Sequence, residues 1–269
     1  MDLGLQGRKA LVCAASKGLG RACAESLAEA GVEVTICSRT KADIEKTAKV
    51  ISDRFQVTVK SVACDITTEE GRTSALKVSG DIDILVNNAG GPPPGNFRDW
   101  NREDWIKAVD ANMLTGIELI KLTIDPMINK KFGRIINITS GAVKSPIAIL
   151  GLSNGARMGL TGFCAGIARE TVRDGVTING LLPGPFDTDR LRGNLQVRAH
   201  AAGKTFDEMY TAAANENPAG RFGTAEEFGK TCAFLCSIHA GFINGQNILI
   251  NNLKAVSYTH LTLPTILLV

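Results

Sequence analysis

Near the N-terminus an apolar run leads through Cys13-Ala14-Ala15-Ser16-Lys17-Gly18-Leu19-Gly20 into a stretch of helical period. Glycines at such a corner let the backbone turn sharply and approach a pyrophosphate, which rests on the unpaired N–H groups opening the next helix. The same turn is also how any α/β chain makes a corner, so alone it admits both meanings. A second apolar run ends in Ser38-Arg39. An acidic residue there would accept the ribose 2′-hydroxyl of NAD, whereas Arg39, with Lys17 on the turn, offers positive charge to a 2′-phosphate. Singly, each cation reads as a solvated side chain. Their joint placement favours NADP(H) over NAD(H).

The elements that must hold these groups alternate. Apolar runs of strand length fall at residues 9–14, 33–37, 57–62, 82–87, 134–139, 177–182 and 247–251. Segments of helical period fall at 20–30, 41–53, 68–78, 101–129, 154–174 and 225–237. Continuous apolar strands separated by amphipathic helices predict an α/β fold: one mostly parallel, seven-stranded sheet with helices on both faces. No repeat, low-complexity stretch or linker divides the chain. The prolines at 92–94 follow a strand end and read as a loop. Residues 185–223 carry no strand character and a short helix near 204–214, the pattern of a substrate lid.

Further motifs stand at the ends of the strands. Asp65-Ile66 follows the third, Asn87-Asn88-Ala89-Gly90 the fourth, Ser140 the fifth and Pro183-Gly184 the sixth, with Thr188 shortly beyond. Asn112 lies within the long middle helix, and Gly220-Arg221-Phe222-Gly223 closes the lid segment. This ordered set resembles the short-chain dehydrogenase/reductase family over about residues 5–252. The family's T-G-x-x-x-G-x-G aligns to Cys13 through Gly20, with Ala14 in place of the first glycine. The resemblance implies a single Rossmann-type, doubly wound domain over residues 1–255. It also implies a dinucleotide site made by Ala14, Ser16, Lys17, Gly18, Leu19, Gly20, Arg39, Asp65, Ile66, Asn88, Ala89, Gly90, Arg157, Pro183, Gly184 and Thr188. Asp65 would accept from the adenine amino group with Ile66 on the ring, and Thr188 would hold the nicotinamide carboxamide. Every one of these positions lies at a carboxyl end of a strand or just beyond it, where open α/β sheets bind ligands.

The family's catalytic tetrad is Asn, Ser, Tyr and Lys, and here only half of it stands. Asn112 and Ser140 match, but the Y-x-x-x-K motif thirteen residues after the serine reads Ser153-Asn154-Gly155-Ala156-Arg157. Positions four apart share a helix face, so the geometry survives while the chemistry changes. A phenol with pKa near 10, lowered by a neighbouring cation, can donate a proton to a carbonyl oxygen. A serine hydroxyl is far less acidic and shorter by a ring. Arg157 keeps the positive charge and can bind ribose hydroxyls, yet it cannot pass a proton as lysine does. The chain is also similar to a subgroup near the 3-oxoacyl-carrier-protein reductases, whose glycine motif and tetrad are both imperfect. Tyr210 and His200, both in the lid, read as packing or surface residues rather than as replacement acids.

Composition narrows the partners. Thirty Lys and Arg against 27 Asp and Glu leave +3, too little bias for nucleic acid or an anionic membrane. No run of 18 apolar residues and no apolar leader occurs, so a soluble, cytoplasmic protein is expected. Seven cysteines without a secretion signal predict free thiols packed as small hydrophobes, and neither they nor three isolated histidines have metal-ligand spacing. Residues 256–269, beginning Val-Ser-Tyr-Thr-His-Leu, read like a translated sequencing adapter and are set aside as a non-native tail. The reading that follows is an NADP(H)-dependent oxidoreductase acting on a small-molecule or acyl-thioester carbonyl. Its rival is a catalytically impaired, NADP-binding sensor or partner subunit, with lyase or isomerase chemistry third. Resemblance implies a homodimer or homotetramer. The small residues of helix 154–174 suit either close helix approach between subunits or packing within the chain.

Overall fold

A computed structural model describes residues 1–252; the tail at 256–269 lies outside the described residues. The seven strands are β1 (Lys9–Val12), β2 (Glu33–Ser38), β3 (Val59–Ala63), β4 (Ile84–Asn87), β5 (Gly133–Ile138), β6 (Val176–Pro183) and β7 (Asn247–Ile250). They form one sheet in the order β3-β2-β1-β4-β5-β6-β7. Every pairing is parallel, so the expected mostly parallel sheet is wholly so. The order reverses between β1 and β4, which sets a crevice at the carboxyl ends of those two strands.

Helices cover both faces. On one side lie α1 (Gly18–Glu29), α2 (Lys41–Phe55) and, at the other end of the chain, α9 (Ala225–Cys236); on the other lie α3 (Glu69–Ser79), α4 (Arg102–Val109), α5 (Thr115–Asn129) and α6 (Gly151–Thr171). Val12, Ile36, Val86 and Ile136 point to the first core, while Leu11, Cys37, Leu85 and Ile135 point to the second. That alternation explains why the central strands are largely apolar: both of their faces are covered, whereas the edge strand β3 exposes Lys60 and Ala63. Helix α9 approaches α1 closely enough that a β-carbon on Gly229 would collide with the Ala22 carbonyl and stand 2.6 Å from Ser26 Oγ. All seven cysteines are free, and six are buried.

Two expectations need correction. The helix expected over 101–129 is not continuous: α4 and α5 are separated by one π-helical turn, Asp110–Leu114, in which the Thr115 N–H bonds the Asp110 carbonyl. The extra residue turns Asn112 inward, where it is 8% exposed. The lid segment contains two helices rather than one, α7 (Asp189–Ala201) and α8 (Phe206–Asn215). Helix α7 was illegible because it buries only Leu195 and Ala199 and carries a glycine at its middle. The two helices share a small core of Leu195, Ala213, Ala214 and Phe222, against which Tyr210 packs.

Candidate active site

The corner between β1 and α1 is built around a left-handed residue that is not glycine. Ala14 has φ 48°, and Gly18 follows with φ 61°. The Cys13 and Ala15 N–H groups bond the carbonyls of Val86 and Cys37, fixing the turn on neighbouring strands. The Ala14 carbonyl accepts from Asn88 Nδ2 at 3.3 Å, and a β-carbon on Gly20 would stand 2.5 Å from that oxygen. Gly20 is therefore where helix and turn touch. Lys17, at the N-cap of α1, gives no side-chain cap, so the first N–H groups of the helix remain available to a ligand.

Two clefts open at the carboxyl ends of the strands. The first, of about 1150 Å³, is lined by Ala14, Ser16, Lys17, Arg39, Asp65, Ile66, Ala89 and Gly90. Arg39 and Lys17 are both exposed at its rim. Asp65 accepts from the Thr67 N–H at 3.0 Å and the Thr67 hydroxyl at 2.8 Å, which orients its carboxylate. The second cleft, of about 910 Å³, is lined by Leu19, Ser140, Ser153, Arg157, Pro183, Gly184 and Thr188. Gly18 and Gly20 shape the turn without lining either cleft, and Asn88 ties the turn to β4.

Ser140 caps a short 3₁₀ turn, its Oγ accepting from the Ala142 N–H at 3.1 Å. The hydroxyl proton is left to point into the cleft. Ser153 is 7% exposed and Arg157 is 8% exposed, one turn apart on α6. Arg157 Nη1 donates to the carbonyls of Ile138 and Thr139 at the end of β5. Burial, and secondarily the charge of Arg190, pushes its pKa down to about 10, so it stays cationic at neutral pH. Asn112 and Ser140 line different spaces. Asn112 lines a small cavity behind the cleft with Asn87, Asn88 and Arg157, so Arg157 alone borders both spaces.

The lid residues fall apart from this group. Tyr210 donates its hydroxyl to Asp187 at 3.0 Å, and His200 is exposed; neither lines the second cleft. Thr188 caps α7 by accepting from the Leu191 N–H at 3.3 Å. Sequence reasoning missed Gly91, Leu150, Phe186 and Leu191 as cleft residues; Arg190, with Arg192 and Arg198, reads from the sequence equally as solvated lid charge or as compatible with an acidic or phosphopantetheine-bearing substrate. Gly91 was the legible one, directly following Asn87-Asn88-Ala89-Gly90.

Known proteins resemble this chain over nearly its whole length. The family model described as enoyl-(acyl carrier protein) reductase matches residues 13–252. The 3-oxoacyl-[acyl-carrier-protein] reductase FabG of Vibrio cholerae is 34% identical over 255 residues, covering 93% of this chain and 98% of that protein. FabG of Escherichia coli K12 is 32% identical over the same shares. Among solved structures, L-sorbose reductase of Gluconobacter frateurii, complexed with NADPH and L-sorbose, superposes with a TM-score of 0.90 at 26% identity, covering 95% of this chain and all of that one. YwfH, an NADPH-dependent reductase involved in bacilysin biosynthesis, gives a TM-score of 0.87 at 28% identity, covering 94% and 100%.

Proposed function

The chain belongs to the short-chain dehydrogenase/reductase family of NAD(P)-dependent oxidoreductases, and on that premise we propose that it is an NADP(H)-dependent carbonyl reductase resembling 3-oxoacyl-[acyl-carrier-protein] reductase. The supporting observation is the second cleft, where Ser140, Ser153 and Arg157 share a wall with Gly184 and Thr188. The first cleft fits the dinucleotide: the uncapped start of α1 suits a pyrophosphate, Asp65 an adenine amino group, and Arg39 with Lys17 a 2′-phosphate. Asn88, Ala89, Gly90 and Pro183 border the same path. The preference for NADP(H) rests on those two cations. It is in keeping with the NADPH held by the sorbose reductase structure.

When bound, the reduced nicotinamide supplies the hydride. Ser140 donates its hydroxyl proton in a hydrogen bond to the substrate carbonyl, stabilising the negative charge that grows on that oxygen. The proton that completes the alcohol comes from a water held by Ser153, since a serine hydroxyl is too weak an acid to act alone. Arg157 fixes a positive charge beside that water and offers Nη2 to ribose hydroxyls. Asn112 presents its amide to the cavity on the other side of Arg157, where it can hold an ordered water. The balance is one hydride and one proton added across the carbonyl, and the reverse for alcohol oxidation.

A second reading follows from one fact: among the described residues no tyrosine lines the cleft. An NADP-binding sensor or partner subunit, with its proton donor lost, would keep the same cofactor residues. Titrating the protein with NADPH and NADH by nucleotide fluorescence, then assaying Ser153→Tyr/Arg157→Lys on short 3-oxoacyl thioesters, separates the readings. NADPH binding tighter than NADH, with turnover raised at least about tenfold in the double variant, is expected for the reductase. Nucleotide binding with no turnover in either protein refutes it in favour of the sensor.

The oligomer proposed is a homodimer or homotetramer built on α5 and α6. Among the described residues a β-carbon on Gly162 or Gly166 would meet nothing within 4 Å, and Leu122 and Met158 are exposed on α5 and α6. Light scattering on the purified protein tests it, and a monomer at assay concentration overturns it.

A further inference from the structure

Two guanidinium groups meet at one wall of the second cleft. Arg157 rises from within α6, and Arg190, exposed on the first turn of α7, reaches back over the same glycine. Both terminal nitrogens of Arg190 lie 3.2 Å from where a β-carbon would stand on Gly91, and Arg157 Nη2 lies 3.4 Å from that point. Arg157 spends Nη1 on two backbone carbonyls, while its Nε is buried with no hydrogen-bond partner.

Neither arginine has a counter-charge. Among the described residues no carboxylate forms an ion pair with Arg157 or Arg190, and no Asp or Glu lines the cleft. Arg192, two residues on, shows the contrast, gripping Asp187 with two bonds of 2.7 Å. A cation in the first turn of a helix also opposes the helix dipole, so Arg190 gains nothing from its own element. The dinucleotide does not account for the pair. Its phosphates would be met by the uncapped start of α1 with Lys17 and Arg39, which line the first cleft, and the ribose hydroxyls that Arg157 would meet are neutral.

We infer that the substrate supplies the missing negative charge: it is a small carbonyl compound bearing a carboxylate, which Arg190 grips beside Arg157 while the carbonyl faces Ser140. The inference rests on the reductase reading above and names its substrate class. A planar fork matches a carboxylate with two parallel hydrogen bonds, which fixes orientation as well as charge. Pro92, Leu150, Phe186 and Leu191 supply an apolar part of the wall that suits a short carbon chain, while Asn194 and Thr139 add polar groups beside it. Discrimination then lies in charge: a neutral ester of the same length leaves the arginines unpaired in a partly desolvated cleft.

Calorimetry on the NADP⁺ complex, in which no reduction occurs, tests this with 2-oxobutanoate and acetoacetate as probes and their methyl esters as neutral controls. At least one acid is expected to bind about tenfold or more tightly than its ester. Arg190→Met should abolish that preference with NADP⁺ affinity held within about twofold, and Arg190→Lys should restore part of it. Equal binding of acid and ester, no binding of either acid, or acid binding untouched by Arg190→Met overturns the inference and leaves the reductase reading standing. Loss of NADP⁺ rather than acid affinity in Arg190→Met also overturns it, because the charge then serves the cofactor. Failure of the wild-type protein to bind any nicotinamide dinucleotide overturns the reductase reading, and the inference falls with it.

Discussion

Ala14→Gly should make this protein more stable, which is the opposite of what glycine usually does. The residue sits at φ 48°, where a β-carbon crowds its own carbonyl at a cost of about 1–2 kcal/mol. The conformation is imposed from outside: bonds on either side to Val86 and Cys37, and the Asn88 amide on its carbonyl, leave no other path. Glycine removes that cost but gives the unfolded chain about 0.4–1 kcal/mol of extra entropy. The difference leaves roughly 0.5–1 kcal/mol in favour of glycine, or about 1–4 °C in Tm for a domain of this size. Urea unfolding followed by circular dichroism reads it as a higher midpoint at unchanged slope. Gln56→Gly is the matched control: φ is 57° at the C-cap of α2, away from both clefts. It should stabilise by a similar amount and leave nucleotide binding alone. Because the Ala14 methyl borders the first cleft, Ala14→Gly should bind NADPH at least as tightly as the wild type. A lower midpoint for Ala14→Gly beside a higher one for Gln56→Gly would refute the left-handed geometry assigned to residue 14.

Arg39→Ala should weaken NADPH by roughly tenfold, a modest figure because the side chain is exposed, while NADH affinity holds; equal loss for both nucleotides would remove Arg39 from the 2′-phosphate. Gly229→Ala should destabilise by about 1–3 kcal/mol through overpacking of α9 on α1, and an unchanged melting temperature would show that the two helices can part. Glu227 is held at a pKa of about 2 by Arg221 and by the Thr224 N–H it caps. Its folded pKa lies below the ordinary carboxylate value, so its contribution is present above about pH 4.5 and fades as pH falls through about 2. Glu227→Gln should therefore be less stable than wild type at pH 7 and converge with it in melts near pH 2; a constant gap would contradict the assignment.

The central strands were legible because both of their faces are covered, so they appear as apolar runs such as Ile84-Leu85-Val86. Their ends moved by a residue or two, since a ladder stops where pairing stops and not where hydrophobicity does. The π turn at Asp110–Leu114 leaves no mark in composition; an extra residue within a helix changes neither propensity nor period enough to show. Ser140, Ser153 and Arg157 were legible through the family resemblance, and they line one cleft. The small cavity that Asn112 lines was not, because it depends on how deeply the π turn carries that side chain inward. The meeting of Arg157 with Arg190 was equally hidden. Local patterning cannot show that residues on α6 and α7 close over one glycine.

The lid segment enters and leaves the sheet at almost one point. The Asp187 N–H bonds the Gly223 carbonyl at 2.8 Å, the Gly223 N–H bonds the Pro185 carbonyl at 3.1 Å, and the helices between carry their own core. Such a segment is a cassette: it can be exchanged at a two-residue joint without disturbing a register or a buried face of the sheet. Selection on substrate choice can then work on residues 187–223 while selection on folding works elsewhere, so the two histories need not run at the same pace.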